Sequence, residues 1–199
     1  MGHYNSMSYW LTGTGPGYPF WLGSNPQPLP YGSFSSTQDQ TVTGANTTTV
    51  LTYNTTDYAS QTYYSGGKIY VQATGTYRIL FTIQCDTTSG GQQSVTIWFR
   101  HNGVNIANSA SRFTIQNNGE NIPVCEIFHQ MLAGDYVEVV FQSADANMRA
   151  DYTAAGGVAP NDYPATPSII TVIQKIAKVL ECLLTVVVTC IRIGLELLP

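Results

Sequence analysis

From Gly75 to Cys85 the chain alternates: Tyr77, Ile79, Phe81, Ile83 and Cys85 occupy every second position, with Thr76, Arg78, Leu80, Thr82 and Gln84 between them. In an extended strand successive side chains point to opposite faces, so this period of two places all the large side chains of the first set on one side. A strand of that kind must bury its apolar face against a second layer. Other segments repeat the pattern. Val95, Ile97 and Phe99 alternate with Thr96, Trp98 and Arg100. Asn102-Gly103 follows, a two-residue turn signal because both residue types tolerate positive φ. The chain is expected to return through Val104 to Ile106, with a further short strand from Arg112 to Ile115 and a turn at Asn117, Asn118 and Gly119.

Val124 to Met131 and Tyr136 to Gln142 read as another antiparallel pair, joined by Ala133-Gly134-Asp135. Residues 144–167 lose the strand pattern and become a Gly-, Ala- and Pro-rich loop, and Ser168 to Ile173 is one more β-branched run. Some eight short strands with turn chemistry between them, and no helical period before the last segment, predict an all-β, antiparallel jelly-roll sandwich. Its limits are residues 30–177, preceded by an N-terminal arm (1–29) and followed by an apolar C-terminal segment (178–199).

The arm is rich in Gly, Pro and aromatics, among them Tyr4, Tyr9, Trp10, Tyr18, Phe20 and Trp21, and has no period. Disordered tails are poor in aromatics, so it reads as a segment that docks on its own domain or a partner. It lacks the basic and apolar regions of a secretory signal. In the C-terminal segment a heptad frame places Ile176, Val179, Leu183, Val186, Cys190, Ile193 and Leu197 at the a and d positions, the seam of a helical bundle. Apolar residues at b and e widen that stripe beyond a dimer seam. Two alternatives stay open. Thr185 to Thr189 is β-branched enough for a strand, and a membrane anchor would need roughly 20 apolar residues, more than the stretch between Glu181 and Arg192 offers.

Charge narrows the function classes. Only 10% of residues are Asp, Glu, Lys or Arg, against roughly 25% in ordinary domains. The net charge is −4 and the eight Lys and Arg are scattered, so there is no basic stripe for phosphates and nucleic-acid binding is not expected. Cys85, Cys125, Cys182 and Cys190 lack zinc-site spacing and are expected to be reduced thiols. His101 and His129 have no companion at ligand or triad spacing. Asp57, Asp86, Asp145 and Asp151 read as loop residues that could bind calcium only if the fold gathered them. No catalytic motif, cofactor motif or metal-ligand set is found, and a non-enzymatic protein is expected.

Gly75-Thr76-Tyr77-Arg78-Ile79-Leu80-Phe81 and Gly134-Asp135-Tyr136-Val137 resemble the Gly-x-Tyr-x-x-x-Phe and Gly-Asp-x-Val strands of the complement-type and tumour-necrosis-factor-like jelly-roll superfamily. Pro30 to Phe34, Ser94 to Gly103 and Pro167 to Val172 resemble a version of that fold found in structural proteins of bacteriophages and other aquatic viruses. The resemblance implies a homotrimer without catalytic residues, exposed on a particle surface. Gly75, Tyr77, Phe81, Trp98, Gly134, Asp135 and Tyr136 are then core or trimer-interface residues, with Gly75 filling a tight turn before the strand.

The expected role is a virion structural protein, a capsid decoration or short fibre made in the host cytoplasm. Residues 1–29 or 178–199 would contact other virion proteins. The alternative is a recognition module at a fibre tip, binding a surface glycan or receptor through Tyr63, Tyr64, Tyr152 and Tyr163.

Overall fold

The computed structural model describes residues 28–116, 119–160 and 162–176. Every regular element among them is a strand. In chain order these are β1 (Tyr31–Ser36), β2 (Gln40–Thr41), β3 (Thr49–Val50), β4 (Thr55–Ser60), β5 (Thr62–Ser65) and β6 (Lys68–Val71). Then follow β7 (Gly75–Ile83), β8 (Cys85–Thr87), β9 (Gln93–His101), β10 (Val104–Asn105) and β11 (Ser111–Ile115). The last are β12 (Glu120–Asn121), β13 (Val124–Met131), β14 (Tyr136–Ser143), β15 (Met148–Ala150) and β16 (Ile169–Lys175). One large sheet has the order β13-β7-β16-β1-β4. The other runs β10-β9-β14-β6-β5, with β11 also on β9 and β3 on β14. A small sheet, β12-β8-β15-β2, closes one end.

The pairings are nested. β1 pairs with β16, β6 with β14, β7 with β13 and β9 with β11, all antiparallel. This is one long hairpin rolled so that successive arms fall in opposite sheets, which is jelly-roll topology.

The alternation seen in the sequence decides which faces meet. Tyr77, Ile79, Phe81 and Ile83 on β7 are fully buried, as are Val95, Ile97 and Phe99 on β9. The Phe81 and Phe99 rings lie 5.1 Å apart at a tilt of 52°, joining the two sheets. Tyr77 can be buried because its hydroxyl donates to Ala73 O at 2.6 Å, and Tyr53 shares a 2.6 Å hydrogen bond with Thr171 Oγ1 inside the sandwich. Burial pushes the Cys85 thiol up to about 12, so it stays protonated at neutral pH.

Three expectations need correction. β13 and β14 are not a hairpin pair: β13 lies on β7 in one sheet, β14 on β9 and β6 in the other. The connection crosses because Gly134, at φ 93°, donates to Val71 O while Val71 N–H donates to Asp135 O, which hands the chain to β6. Gly75 does not fill a turn; it opens β7, and a Cβ there would collide with the stem of Lys175 on β16. Ile176 is not on a helix seam, since its N–H donates to Thr76 O and prolongs the β16–β7 ladder. The other heptad positions, and the arm before residue 28, lie outside the described residues.

Phe81→Ala is expected to cost about 3–5 kcal/mol in urea denaturation. Thr82→Ala, one residue along on the outward face, should stay within about 0.5 kcal/mol.

Candidate functional site

The outward face of the β13-β7-β16-β1 sheet carries several exposed apolar side chains. On β13 the inward residues Cys125, Ile127 and Met131 alternate with Val124 and Phe128, which are 53% and 63% exposed. The register aligns these with their neighbours. One row runs Val124, Thr82, Ile170 and Ser35; the next runs Glu126, Leu80, Val172 and Ser33; the third runs Phe128, Arg78, Gln174 and Tyr31. Leu80, Val172, Arg78 and Gln174 line a shallow depression of about 170 Å³ at its centre.

Two of the charges on this face, Arg78 and Glu126, cancel each other. Arg78 Nε and Nη2 donate to Glu126 Oε1 and Oε2 at 2.8 and 2.7 Å, a bidentate pair that raises the guanidinium and lowers the carboxyl from their ordinary values. Farther across, Ser33 and Ser35 hydroxyls donate to Asp57. A face with this much apolar surface and one self-neutralised ion pair suits burial against another protein surface.

A second cluster sits at the sandwich rim, where the Asn102-Gly103 turn meets the connection between β13 and β14. Asn102 and Gly103 have φ of 49° and 80°, the all-positive pair of a type I′ turn. Asn102 Nδ2 donates to Asp135 Oδ1 at 2.7 Å, and Tyr136 N–H donates to Asn102 Oδ1 at 3.0 Å. Leu132 N–H donates to the other Asp135 oxygen at 2.7 Å. Behind this turn His129 Nε2 and His101 Nδ1 share a hydrogen bond of 3.1 Å. His101 Nε2 lies 2.9 Å from Asp135 Oδ2.

The two histidines are 28 residues apart in sequence and belong to different sheets, which is why spacing gave no hint of them. Among the described residues no Ser, Thr or Cys hydrogen-bonds to either imidazole, and no three His, Cys, Asp or Glu could hold a metal ion. The cluster lacks the geometry of an activated nucleophile and acts as a clamp between sheets.

Acidic residues are gathered too, but around a cation already in the chain. Arg149 makes ion pairs with Asp86 and Asp151 at 2.8 and 2.7 Å and with Asp39 at 3.5 Å. Asp145 accepts hydrogen bonds from the hydroxyls of Thr87 and Ser89 and from Asn147 N–H. Asp57 is elsewhere, on β4.

The outward face of the second sheet carries Tyr63, Tyr70 and Tyr136 in one row, with Tyr63 and Tyr70 stacked at 4.9 Å and Lys68 Nζ 4.5 Å from the Tyr136 ring centre. The four tyrosines singled out for glycans do not converge. Tyr64 turns inward against Tyr53 and Phe34, and its hydroxyl accepts from Gly67 N–H, so it serves the core. Tyr152 and Tyr163 lie in the segment after β15, Tyr163 packed over Gly156. Trp98 is not a core residue either. It is half-buried on the outward face of β9, and its Nε1 donates to Asn105 Oδ1 at 2.8 Å.

Strand order and burial thus define an all-β antiparallel jelly roll whose first sheet presents an apolar outward face. No family model matches the sequence, and no curated protein matches it. Among solved structures the chain is similar to the globular domain of zebrafish complement 1qA protein, at 13% identity and a TM-score of 0.45, over 75% of this chain and 98% of that one.

The rim clamp should respond to acid. Burial, then the neighbouring His101, hold His129 below its ordinary 6.5 against the pull of Asp135. Burial raises Asp135, but hydrogen bonds from Asn102, Leu132 N–H and His101 bring it below 3.8. A histidine depressed on folding contributes fully above its unfolded value and loses that contribution as pH falls below it; the carboxylate does the same at lower pH. Melting temperature is therefore expected to drop as pH falls from about 6.5, with a smaller drop in His129→Gln.

Proposed function

We propose that this chain is a non-enzymatic structural module that assembles as a homotrimer through the outward face of the β13-β7-β16-β1 sheet. In this reading the trimer is displayed on a virus particle as a capsid decoration or short fibre. The observation that carries the assembly is the exposed apolar set Val124, Phe128 and Val172, with half-buried Leu80 between them, around the Arg78–Glu126 ion pair. A free surface of this kind gains by leaving water, at roughly 25 cal/mol per Å² of apolar area buried. Burying Arg78 and Glu126 as a hydrogen-bonded pair costs less than burying either charge alone.

The three-fold count comes from the resemblance of Gly75–Phe81 and Gly134–Val137 to the complement-type and tumour-necrosis-factor-like superfamily, and the virion setting from that of Pro30–Phe34, Ser94–Gly103 and Pro167–Val172 to viral jelly rolls. In this reading residues 1–29 or 178–199 attach the trimer to other virion proteins.

Light scattering of the intact chain at micromolar concentration is expected to give three times the chain mass. The double variant Phe128→Asp, Val172→Asp should give a folded monomer, because the new carboxylates would be buried against another copy. Deleting residues 178–199 should leave the trimer standing. A monomeric intact chain, or a trimer indifferent to the double substitution, contradicts the proposal.

A further inference from the structure

The second sheet carries a groove on its outward face that neither the core nor the assembly face uses. Its floor is one cross-strand row, Gln142 on β14, Thr96 on β9 and Arg112 on β11, set by the pairings Gln142↔Thr96 and Arg112↔Thr96. Its volume is about 390 Å³, and Asn46, Gln92 and Gln93 supply further amides along its walls. Small-molecule sites commonly measure about 300–1,000 Å³. No carboxylate lines the groove.

One wall is tied down, because Gln142 Nε2 donates to Asn46 O while Asn46 N–H donates to Ser143 O at 2.7 Å. Asn46 is held at φ 57°, a left-handed conformation that fixes where this loop approaches the strand. Trp98 stands two residues beyond Thr96 on the same face of β9, about 7 Å along the strand.

Arg112 sets the ligand chemistry. Among the described residues the other arginines are all engaged: Arg78 with Glu126, Arg149 with Asp39, Asp86 and Asp151, and Arg100 by hydrogen bonds to Gly103 O with Glu138 3.7 Å away. Arg112 has no such partner among the described residues and is exposed at the groove. In a chain with a net charge of −4 and only eight Lys and Arg, an unpaired guanidinium among primary amides is a local positive site on an otherwise acidic protein. A guanidinium offers a planar fork of donors that fits a carboxylate in two hydrogen bonds. Amides and a hydroxyl, each able to donate and accept, fit the vicinal hydroxyls of a sugar ring.

We propose that the groove floored by Gln142, Thr96 and Arg112 binds a carboxylate-bearing saccharide, with the carboxylate on Arg112 and the ring hydroxyls on the surrounding amides. This goes beyond the assembly reading and stands without it, because the groove lies on the opposite sheet from Phe128 and Val172.

The test is saturation-transfer NMR and calorimetry on the intact chain with two acidic probes, trigalacturonic acid and 3′-sialyllactose. Each is paired with a neutral counterpart, the methyl ester of the first and lactose for the second. At least one acid should bind, with at least ten-fold weaker binding of its neutral counterpart. Arg112→Gln should weaken the acid by a similar factor, while Arg112→Lys retains part of it. Which acid binds identifies the source of the carboxylate, a uronate polymer or a sialylated glycan. Melting temperature and oligomeric mass should be unchanged in both variants. Binding of neither acid, equal binding of acid and neutral probe, or full binding by Arg112→Gln overturns the proposal; a monomeric protein that still binds the acid would overturn only the assembly reading.

Discussion

Everything else in this molecule depends on the inward row of β7. Tyr77, Ile79, Phe81 and Ile83 meet the inward rows of β9 and β14, and β7 is paired along its length with β13 on one side and β16 on the other. A slip of one residue would turn all four into solvent and bring Arg78 inside, so the register is strongly determined. Once β7 is fixed, Leu80 must face outward, and with it Val172 and the alternate residues of β13. The apolar outward face is thus the other side of the same pattern that builds the core.

The connections then decide which sheet each strand enters. Gly134 and Asp135 bond to Val71 rather than continuing a hairpin, so β14 starts beside β6. The same turn is gripped from the far side by Asn102, and His101 and His129 bridge the gap between the sheets. The rim therefore joins two strands and two turns through a few polar contacts, where the core joins them through apolar ones. At the other end the small sheet does similar work, with Arg149 holding Asp39, Asp86 and Asp151 from three parts of the chain.

The long strands were legible in the sequence: β7 and β9 lie where alternation marks them, and β13, β14 and β16 where apolar and β-branched runs are bounded by turn residues. Partners were less legible. Neighbouring strands in sequence usually pair, so β13 and β14 read as a hairpin, and only the bonds from Val71 to the turn show otherwise. Trp98 was placed among the core or trimer-interface residues through the family resemblance, and its place in the period, beside inward Ile97 and Phe99, puts it on the outward face. Tyr64 and Tyr63 are neighbours with opposite fates for the same reason. The His101–His129 contact, the ring of aspartates around Arg149 and the groove at Arg112 involve residues far apart in the chain, and no local signal announces them.

The central claim is that the outward face of β7 and its neighbours is covered by other copies of the chain. Cryo-electron microscopy of the intact assembled protein tests this most directly. The expected map has a three-fold axis, with Leu80, Phe128 and Val172 of each copy against a neighbouring copy and the second sheet, with Trp98 and Arg112, turned to solvent. A map in which the copies meet through the second sheet, leaving Phe128 and Val172 in water, would contradict it.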